Sequence, residues 1–318
     1  MMRMTGFAML ACLSAAQAAD YPQRPIRLIV PQAPGSASDT VARLVAAELA
    51  PRLGQQVVVD NRPGGALLIG MELIARAAPD GYTIGYAPVG ALAISPNVAA
   101  KPPFDVNRDF AAVVMIAFNQ MLLAANPALP VKNVRELVDY AKANPNKLSN
   151  ASSGNGTPGH VGMEYLKMMT GAPIVHVPYK GGGAATAAVI GGEVQLIMES
   201  LNSITPHAKG GRVKSLAVTA SKRSPALPEV PTVAESGVPG YEAITWNGIV
   251  APAGAPPAVI ARLNAEANRA LADPAFAQKL AAIGAEPAGG SPESFAKFIR
   301  SEHAKWGEVV RKSGARMD

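Results

Sequence analysis

Hydrophobic residues make up 49% of the 318 residues and charged residues 16%, which excludes intrinsic disorder and provides a core large enough for two α/β domains. The formal net charge is +6, but lysines and arginines are dispersed and not interleaved with aromatic residues, which excludes a nucleic-acid-binding surface. A single cysteine excludes a disulfide within the chain, and the mild positive charge favours small anions as ligands.

The first segment, residues 1–19, is typical of a secretory signal peptide. Arg3 supplies a positive charge, residues 7–16 form an apolar run too short to span a bilayer, and Ala16-Gln17-Ala18 matches a cleavage site. Cys12, the single cysteine, lies within this run, and we interpret it as an apolar residue that is removed with the signal rather than lipidated. We therefore expect a soluble, periplasmic mature chain.

A strand, a tight loop and a helix follow in the first part of the mature chain. The β-branched, apolar residues 26–30 predict a buried strand, which Pro31, Pro34 and Gly35 end. Small polar residues that favour N-caps come next and precede apolar residues at helical spacing. The polar residues are Ser36, Ser38 and Asp39, and the apolar ones are Val41, Leu44, Val45 and Leu49.

This first loop predicts an anion site. The first N–H groups of a helix have no partner within it, and the helix dipole makes that end positive. Because the side chains here are small, an anion such as a carboxylate can approach the backbone itself. Asp39 has two interpretations: it caps its helix, or it binds an amino or hydroxyl group of a ligand.

Strands and helices alternate after this loop, which predicts a parallel sheet with right-handed crossovers. Strands are expected at 57–59 and 82–87, a helix at 68–77, and a loop at 88–96. The long apolar run 113–125 ends at Asn126-Pro127, which we interpret as the crossing into a second lobe.

A second α/β set follows. We expect helices at 133–143, 160–169 and 184–190, and strands at 147–151, 174–178, 194–198 and 213–219. The Pro- and Gly-rich segment 224–241 then returns the chain to the first lobe, where a strand at 244–250 and helices at 257–271, 274–283 and 292–312 are expected. The predicted first lobe is 20–125 plus 245–318, and the second is 126–244; two crossings form a hinge that closes around ligands.

The glycine loop 152–159 has the same order of elements as the first loop: a strand, then small residues, then a helix N-terminus. Gly154, Gly156 and Gly159 match GxGxxG, but Pro158 interrupts that pattern and no acidic residue lies about 20 residues further on, so we reject a dinucleotide site. We interpret the segment instead as a second anion loop.

Other polar residues carry weaker predictions. His160 contacts the ligand or caps its helix, His176 is interpreted as a core residue, and the histidine spacing predicts no metal. Lys180 and Glu199 follow strand ends, where ligands bind in open α/β folds. The SxxK match at 294–297 lies on a predicted helix without partner motifs, so we expect neither catalysis nor a cofactor.

Together, several segments resemble the substrate-binding family of tripartite tricarboxylate transporters, the Bug-type periplasmic receptors. The segments that carry the resemblance are YPQRPIRLIVP, NRPGG, APDGYTIGY, SSGNGTPGHVGMEYLK, HVPYKGGG, LAVTASKRSPALPEVPTVAESGVPGYEA, WNG at 246–248, VAPAGAP and GAEPAGGSPESF. The resemblance implies an α/β, two-lobed type II periplasmic-binding fold, each lobe a mainly parallel sheet flanked by helices. It also implies that loops after two strands, one per lobe, grip a ligand carboxylate through backbone amides and bridging waters.

The chain departs from the family pattern at two places. Gln32 stands where the family commonly has an aromatic or bulky apolar residue, and Ala66 and Leu67 stand where glycines are usual. The predicted ligand-binding residues are Gln32, Ala33, Gly35, Ser36, Ala37, Ser38, Asp39, Ala66, Leu67, Ser152, Ser153, Gly154, Asn155, Gly156, Thr157, His160, Lys180 and Glu199.

The prediction is a monomeric receptor that delivers a small carboxylate, such as a mono- or dicarboxylate, an amino acid or an aromatic acid, to membrane transporter subunits. Two alternatives stay open at this point. One is a sensory co-receptor for a membrane kinase, and the other is an enzyme, a hydrolase or isomerase, on the same scaffold.

Overall fold

The computed structural model describes residues 21–314, and the predicted signal peptide with Cys12 lies outside them. Two sheets organise the described chain. In the first, β1 (Ile26–Val30) lies parallel between β2 (Val57–Asn61) and β3 (Thr83–Pro88). The remaining strands, β10 (Thr245–Pro252), β4 (Phe110–Asn119) and β11 (Glu286–Pro287), extend it antiparallel, giving the order β11-β4-β10-β3-β1-β2.

The second sheet has five strands in the order β7-β6-β8-β5-β9. Its strands are β5 (Met121–Ala125), β6 (Leu148–Ser152), β7 (Ile174–Pro178), β8 (Leu196–Ser200) and β9 (Lys214–Val218). β6 pairs in parallel with β7 and β8, whereas β5 pairs antiparallel with β8 and β9. Both sheets are therefore mixed, and the expectation of a mainly parallel sheet holds only at one end of each.

Helices cover both sheets. They are α1 (Ala37–Leu53), α2 (Leu68–Ala75), α3 (Ser95–Val98), α4 (Val134–Ala143), α5 (Pro158–Thr170), α6 (Gly182–Gly191), α7 (Leu201–Lys209), α8 (Pro257–Leu271), α9 (Pro274–Ala282) and α10 (Pro292–Ser313). A 3-10 turn, Gly65–Leu67, precedes α2, and a π-helical turn, Gly90–Ile94, precedes α3. The expected loop at 88–96 is thus largely helical. Within the described range, no helix combines the length and apolar composition that a membrane span requires.

The chain crosses between the sheets at Gln120, five residues earlier than the predicted boundary. The apolar run 113–125 contains two strands, because β4 pairs in the first sheet and β5 in the second. At the crossing, the backbone carbonyl of Gln120 accepts a hydrogen bond from the Leu201 amide. The Met121 amide donates to Thr219 Oγ1 at 2.9 Å. The two crossings, at Gln120 and after β9, therefore lie side by side.

The C-terminal helix α10 joins the two halves of the molecule. Its Trp306 packs edge-on against Tyr165 of α5, with ring centroids 6.1 Å apart. Trp306 Nε1 and Trp246 Nε1 both donate to the buried Glu302 carboxylate, at 3.0 and 2.9 Å. This network fixes Trp246, which borders the space between the sheets.

Candidate ligand-binding site

A cleft of about 940 Å³ separates the two sheets and lies at the carboxyl ends of their strands. Its lining comes from both lobes: the first contributes the loop after β1, the turn before α2 and the start of β10, and the second contributes the loop after β6 and the start of α7. None of the described residues that line it is Asp, Glu, Lys, Arg or His. Any charged ligand must therefore be held by neutral donors or acceptors.

The loop after β1 is fixed by its own side chains. Ser36 caps α1 by accepting from the Asp39 amide at 3.2 Å. The buried Asp39 carboxylate accepts from the Gly35 amide at 2.8 Å, Asn61 Nδ2 at 2.9 Å and Arg43 Nε at 3.0 Å. Burial by itself would raise the pKa of Asp39, but these hydrogen bonds and the Arg43 charge outweigh it and lower the pKa to about 2.

Asp39 thus belongs to the support of the loop and not to the cleft lining. Of its two interpretations, the structure favours the one in which it holds its own helix start. The Gly35 amide is therefore engaged by the Asp39 carboxylate, and it is not a free donor of this loop.

The free backbone N–H donors of this loop lie just after Gly35 and Ser36, at the start of α1. Ala37 and Ser38 are the first two residues of α1, they line the cleft, and their N–H groups have no acceptor among the described residues. A helix of 17 residues places the positive end of its dipole at the same point. In the first loop, therefore, the backbone donors that lack an acceptor among the described residues are those of Ala37 and Ser38.

The loop after β6 is built differently. Ser152 Oγ accepts from the Gly154 amide at 3.2 Å and lies 2.6 Å from His176 Nε2. The Gly156 amide donates to His160 Nδ1 at 3.0 Å. The amides of Gly154 and Gly156 are therefore engaged by side chains of the same lobe, and neither is a free donor of this loop.

The two histidines of this loop are stacked. The rings of His160 and His176 are nearly parallel, with centroids 3.7 Å apart. Burial lowers the pKa of each histidine to about 4, and the positive charge of Lys167 acts in the same direction. Both rings are therefore neutral near pH 7, and His160 acts as a support of the loop rather than as a lining residue.

The second loop nevertheless faces the cleft. Asn155, Gly156, Thr157 and Pro158 line it. Pro158 begins α5 without an N–H group, so that helix offers fewer backbone donors than α1 does. The two loops are therefore not equivalent: the first presents backbone amides, and the second presents mainly side chains and the small Gly156.

Comparison with known proteins places this architecture in a family. Residues 41–315 match the family model described as "Tripartite tricarboxylate transporter family receptor". The chain belongs to this family. The protein BugT of Bordetella pertussis is 36% identical over 313 residues, which cover 98% of this chain and 96% of BugT.

Solved structures agree in fold. R. palustris Rpa4515, determined with adipate, is 37% identical with a TM-score of 0.78, covering 93% of this chain and all of that one. MatC (Rpa3494) from Rhodopseudomonas palustris, determined with malate, is 31% identical with a TM-score of 0.74, covering 91% of this chain and all of that one. The predicted family and the two-lobed α/β fold are confirmed.

Within this receptor, Ala66 and Leu67 both have a left-handed backbone. Their φ angles are 48° and 79°, in the region that glycine adopts most easily. This backbone conformation agrees with the glycines that the resemblance implies at these positions, and both residues line the cleft. Gln32 also lines it, and its carbonyl accepts from Asn61 Nδ2 at 3.0 Å.

The remaining predicted residues lie outside the lining. Lys180 is exposed, and the Glu199 carboxylate accepts from the Ser200 amide at 2.8 Å. The predicted residues that do not line the cleft are Ala33, Gly35, Ser36, Asp39, Ser152, Ser153, Gly154, His160, Lys180 and Glu199. In this arrangement of the lobes they lie outside the lining, and their ligand contacts stay predictions.

Several lining residues were not predicted from the sequence. They are mainly polar or aromatic and include Tyr86, Ser95, Asn119, Thr245, Trp246 and Asn247. Ser200 and Asn202, which follow Glu199 at the end of β8, also line the cleft. The WNG segment was noted as a motif, but nothing in its local pattern indicates that β10 lies next to β3 and faces the cleft.

Proposed function

We propose that this chain is an extracytoplasmic receptor that captures a small carboxylate and delivers it to a membrane transporter of the tripartite tricarboxylate type. Residues 1–19 direct export in this proposal. One lobe comprises the first sheet with its helices and the other the second sheet with its helices, and they close on the ligand about the two crossings. Family membership supports the ligand class, and so do the related structures determined with adipate and with malate.

One observation carries the proposal: Ala37 and Ser38, whose amides have no acceptor among the described residues, line a cleft whose described lining has no charged side chain. A carboxylate satisfies these donors and the helix dipole together. An ammonium or guanidinium group would meet donors and a positive dipole instead, so the site selects against cations.

The direct test is thermal unfolding with a panel of acids, including adipate, malate, succinate and benzoate. A ligand that binds only the folded state at 100 times its Kd stabilises that state by about 2.7 kcal/mol. We expect at least one acid, and no matched amine or amide, to raise the Tm.

Ala37→Pro tests the amide itself. Pro is well tolerated at the first position of a helix, and Ser36 already has the extended backbone that precedes proline (φ −69°, ψ 162°). The variant removes one N–H group without changing charge, so we expect an unchanged Tm without ligand and an affinity about tenfold lower or more.

Ala37→Ser is the matched control, because it changes the exposed side chain and keeps the N–H group. Equal ligand affinity in the two variants would contradict the role of this amide.

Transport is tested separately. Deletion of the gene in its host should abolish uptake of the acid that raises the Tm. Loss of acid-dependent gene induction with normal uptake would indicate the sensory alternative, and conversion of the acid by the purified protein would indicate an enzyme.

A further inference from the structure

Tyr86 and Asn247 lie next to each other on one face of the first sheet. β3 and β10 are antiparallel neighbours in which Tyr86 is opposite Ile249, and Asn247 is opposite Pro88. Side chains alternate between faces along a strand, so Asn247, two residues from Ile249, shares the face of Tyr86. Both residues line the cleft.

Both side chains end in a polar atom without a partner. Tyr86 is fully buried and Asn247 is 9% exposed, and neither Tyr86 Oη nor Asn247 Oδ1 has a hydrogen bond in the described part of the chain. Buried polar groups in proteins are nearly always hydrogen-bonded. These two buried atoms lie on neighbouring strands, in residues that line the cleft. They therefore indicate a ligand group that supplies the missing hydrogen bonds.

The chemistry of the two atoms restricts that group. Tyr86 offers an O–H donor, whereas Asn247 Oδ1 is an acceptor and needs a donor. A hydroxyl group satisfies both at once, because it accepts from Tyr86 and donates to Asn247. A second carboxylate has no proton for Asn247 and would be buried among described lining residues that carry no cation.

We propose that Tyr86 and Asn247 form a specificity subsite that selects carboxylic acids bearing a hydroxyl group, with the carboxylate at Ala37 and Ser38. The inference rests on the proposed function and adds the substrate class. Burial raises the pKa of Tyr86 well above its usual value, so the phenol keeps its proton. The aliphatic residues Val41, Ile283 and Ala285 line the same cleft and suit the carbon chain of such an acid.

The test is calorimetric titration of matched acids that differ by one hydroxyl group: malate against succinate, 3-hydroxybutyrate against butyrate, and 4-hydroxybenzoate against benzoate. In at least one pair we expect the hydroxylated acid to bind about tenfold tighter or more, the effect of a net hydrogen bond. Tyr86→Phe should reduce that ratio about tenfold without weakening binding of the unhydroxylated acid.

The Tm of the ligand-free variant gives a second readout. Tyr86→Phe removes an atom that has no partner, so its Tm should not fall. Tyr241→Phe is the matched control, because the buried Tyr241 hydroxyl donates to the Gly162 carbonyl at 2.9 Å. That variant should lower the Tm and leave the hydroxyl preference unchanged.

The outcomes separate the two proposals. If acids bind but none of the pairs shows a hydroxyl preference, the subsite is wrong and the receptor function stands. A Tyr86→Phe variant with an unchanged preference also overturns the subsite, as does one whose Tm falls like that of Tyr241→Phe. Failure of all acids to bind overturns both proposals.

Discussion

At the scale of single residues, Ala66 and Leu67 store backbone strain beside the cleft. A left-handed conformation costs an L-residue about 1–2 kcal/mol, and strain of this kind is often found at ligand sites. Ala66 has φ 48° and ψ 49°, and its side chain is exposed. Packing of the Ala66 methyl group therefore does not offset the cost of its left-handed backbone.

Ala66→Gly should raise the free energy of unfolding by about 1 kcal/mol, because glycine adopts this conformation without a Cβ clash. The measurement is urea denaturation at constant temperature. Ala261→Gly, at an exposed position inside α8, makes the same chemical change in an ordinary helix and should lower that free energy by about 1 kcal/mol. Shifts of the same sign in both variants would contradict the strain argument.

At the scale of elements, the loop between β6 and α5 depends on two neutral histidines. His160 Nδ1 accepts from the Gly156 amide, and His176 Nε2 contacts Ser152 Oγ at the end of β6. Protonation of His160 at Nδ1 would remove the acceptor for Gly156, and protonation of both rings would place two positive charges in a stack with centroids 3.7 Å apart. This loop is therefore the acid-sensitive element of the cleft.

Stability should fall as the pH is lowered from about 6.5 to about 4. The pKa of each of these histidines is about 4 in the folded chain and 6.5 in the unfolded one, so the unfolded state binds more protons throughout this range. Each pH unit within it costs at most about 1.4 kcal/mol per histidine. Asp39, with a pKa of about 2, stays ionised in the folded chain there.

Urea denaturation at pH 7, 5.5 and 4.5 measures this slope. His160→Asn offers an amide oxygen to Gly156 but does not titrate, so the loss of stability should be smaller in this variant. The same slope in the variant and the parent would contradict the assignment to His160.

The elements also show what local sequence can predict. β1 and α1 were predicted closely, because prolines, glycine and an N-cap mark their ends. The division of 113–125 into β4 and β5 was missed, because an apolar run looks the same in either sheet. Tyr86 and Asn247 were missed because antiparallel pairing of β10 with β3, over 150 residues apart, places them together.

At the scale of the whole molecule, the lobes also touch beside the crossing at Gln120, where the Gly284 carbonyl accepts from Asn119 Nδ2. Asn202 Nδ2, at the start of α7, donates to the carbonyl of Ile283 in the loop after α9, at 2.6 Å. Both residues line the cleft. The next residue, Gly284, leaves no space: an added Cβ would lie 1.6 Å from Asn202 Oδ1. The observed position of the Asn202 side chain, bonded to Ile283, therefore requires a glycine here.

Gly284→Ala should hold the lobes apart and weaken carboxylate binding about tenfold or more, because about 1.4 kcal/mol of lost contact energy is tenfold in Kd.

Gly54→Ala is the matched control: φ is 70° there and 68° at Gly284, but an added Cβ at Gly54 meets no atom within 4 Å. Both variants carry the same left-handed strain and should lose similar stability, whereas only Gly284→Ala should lose affinity and show a larger radius of gyration by X-ray scattering. Asn202→Ala in the Gly284→Ala background removes the clashing amide and should restore part of the affinity. Equal affinity of Gly284→Ala and Gly54→Ala would mean that binding does not require this contact between the lobes.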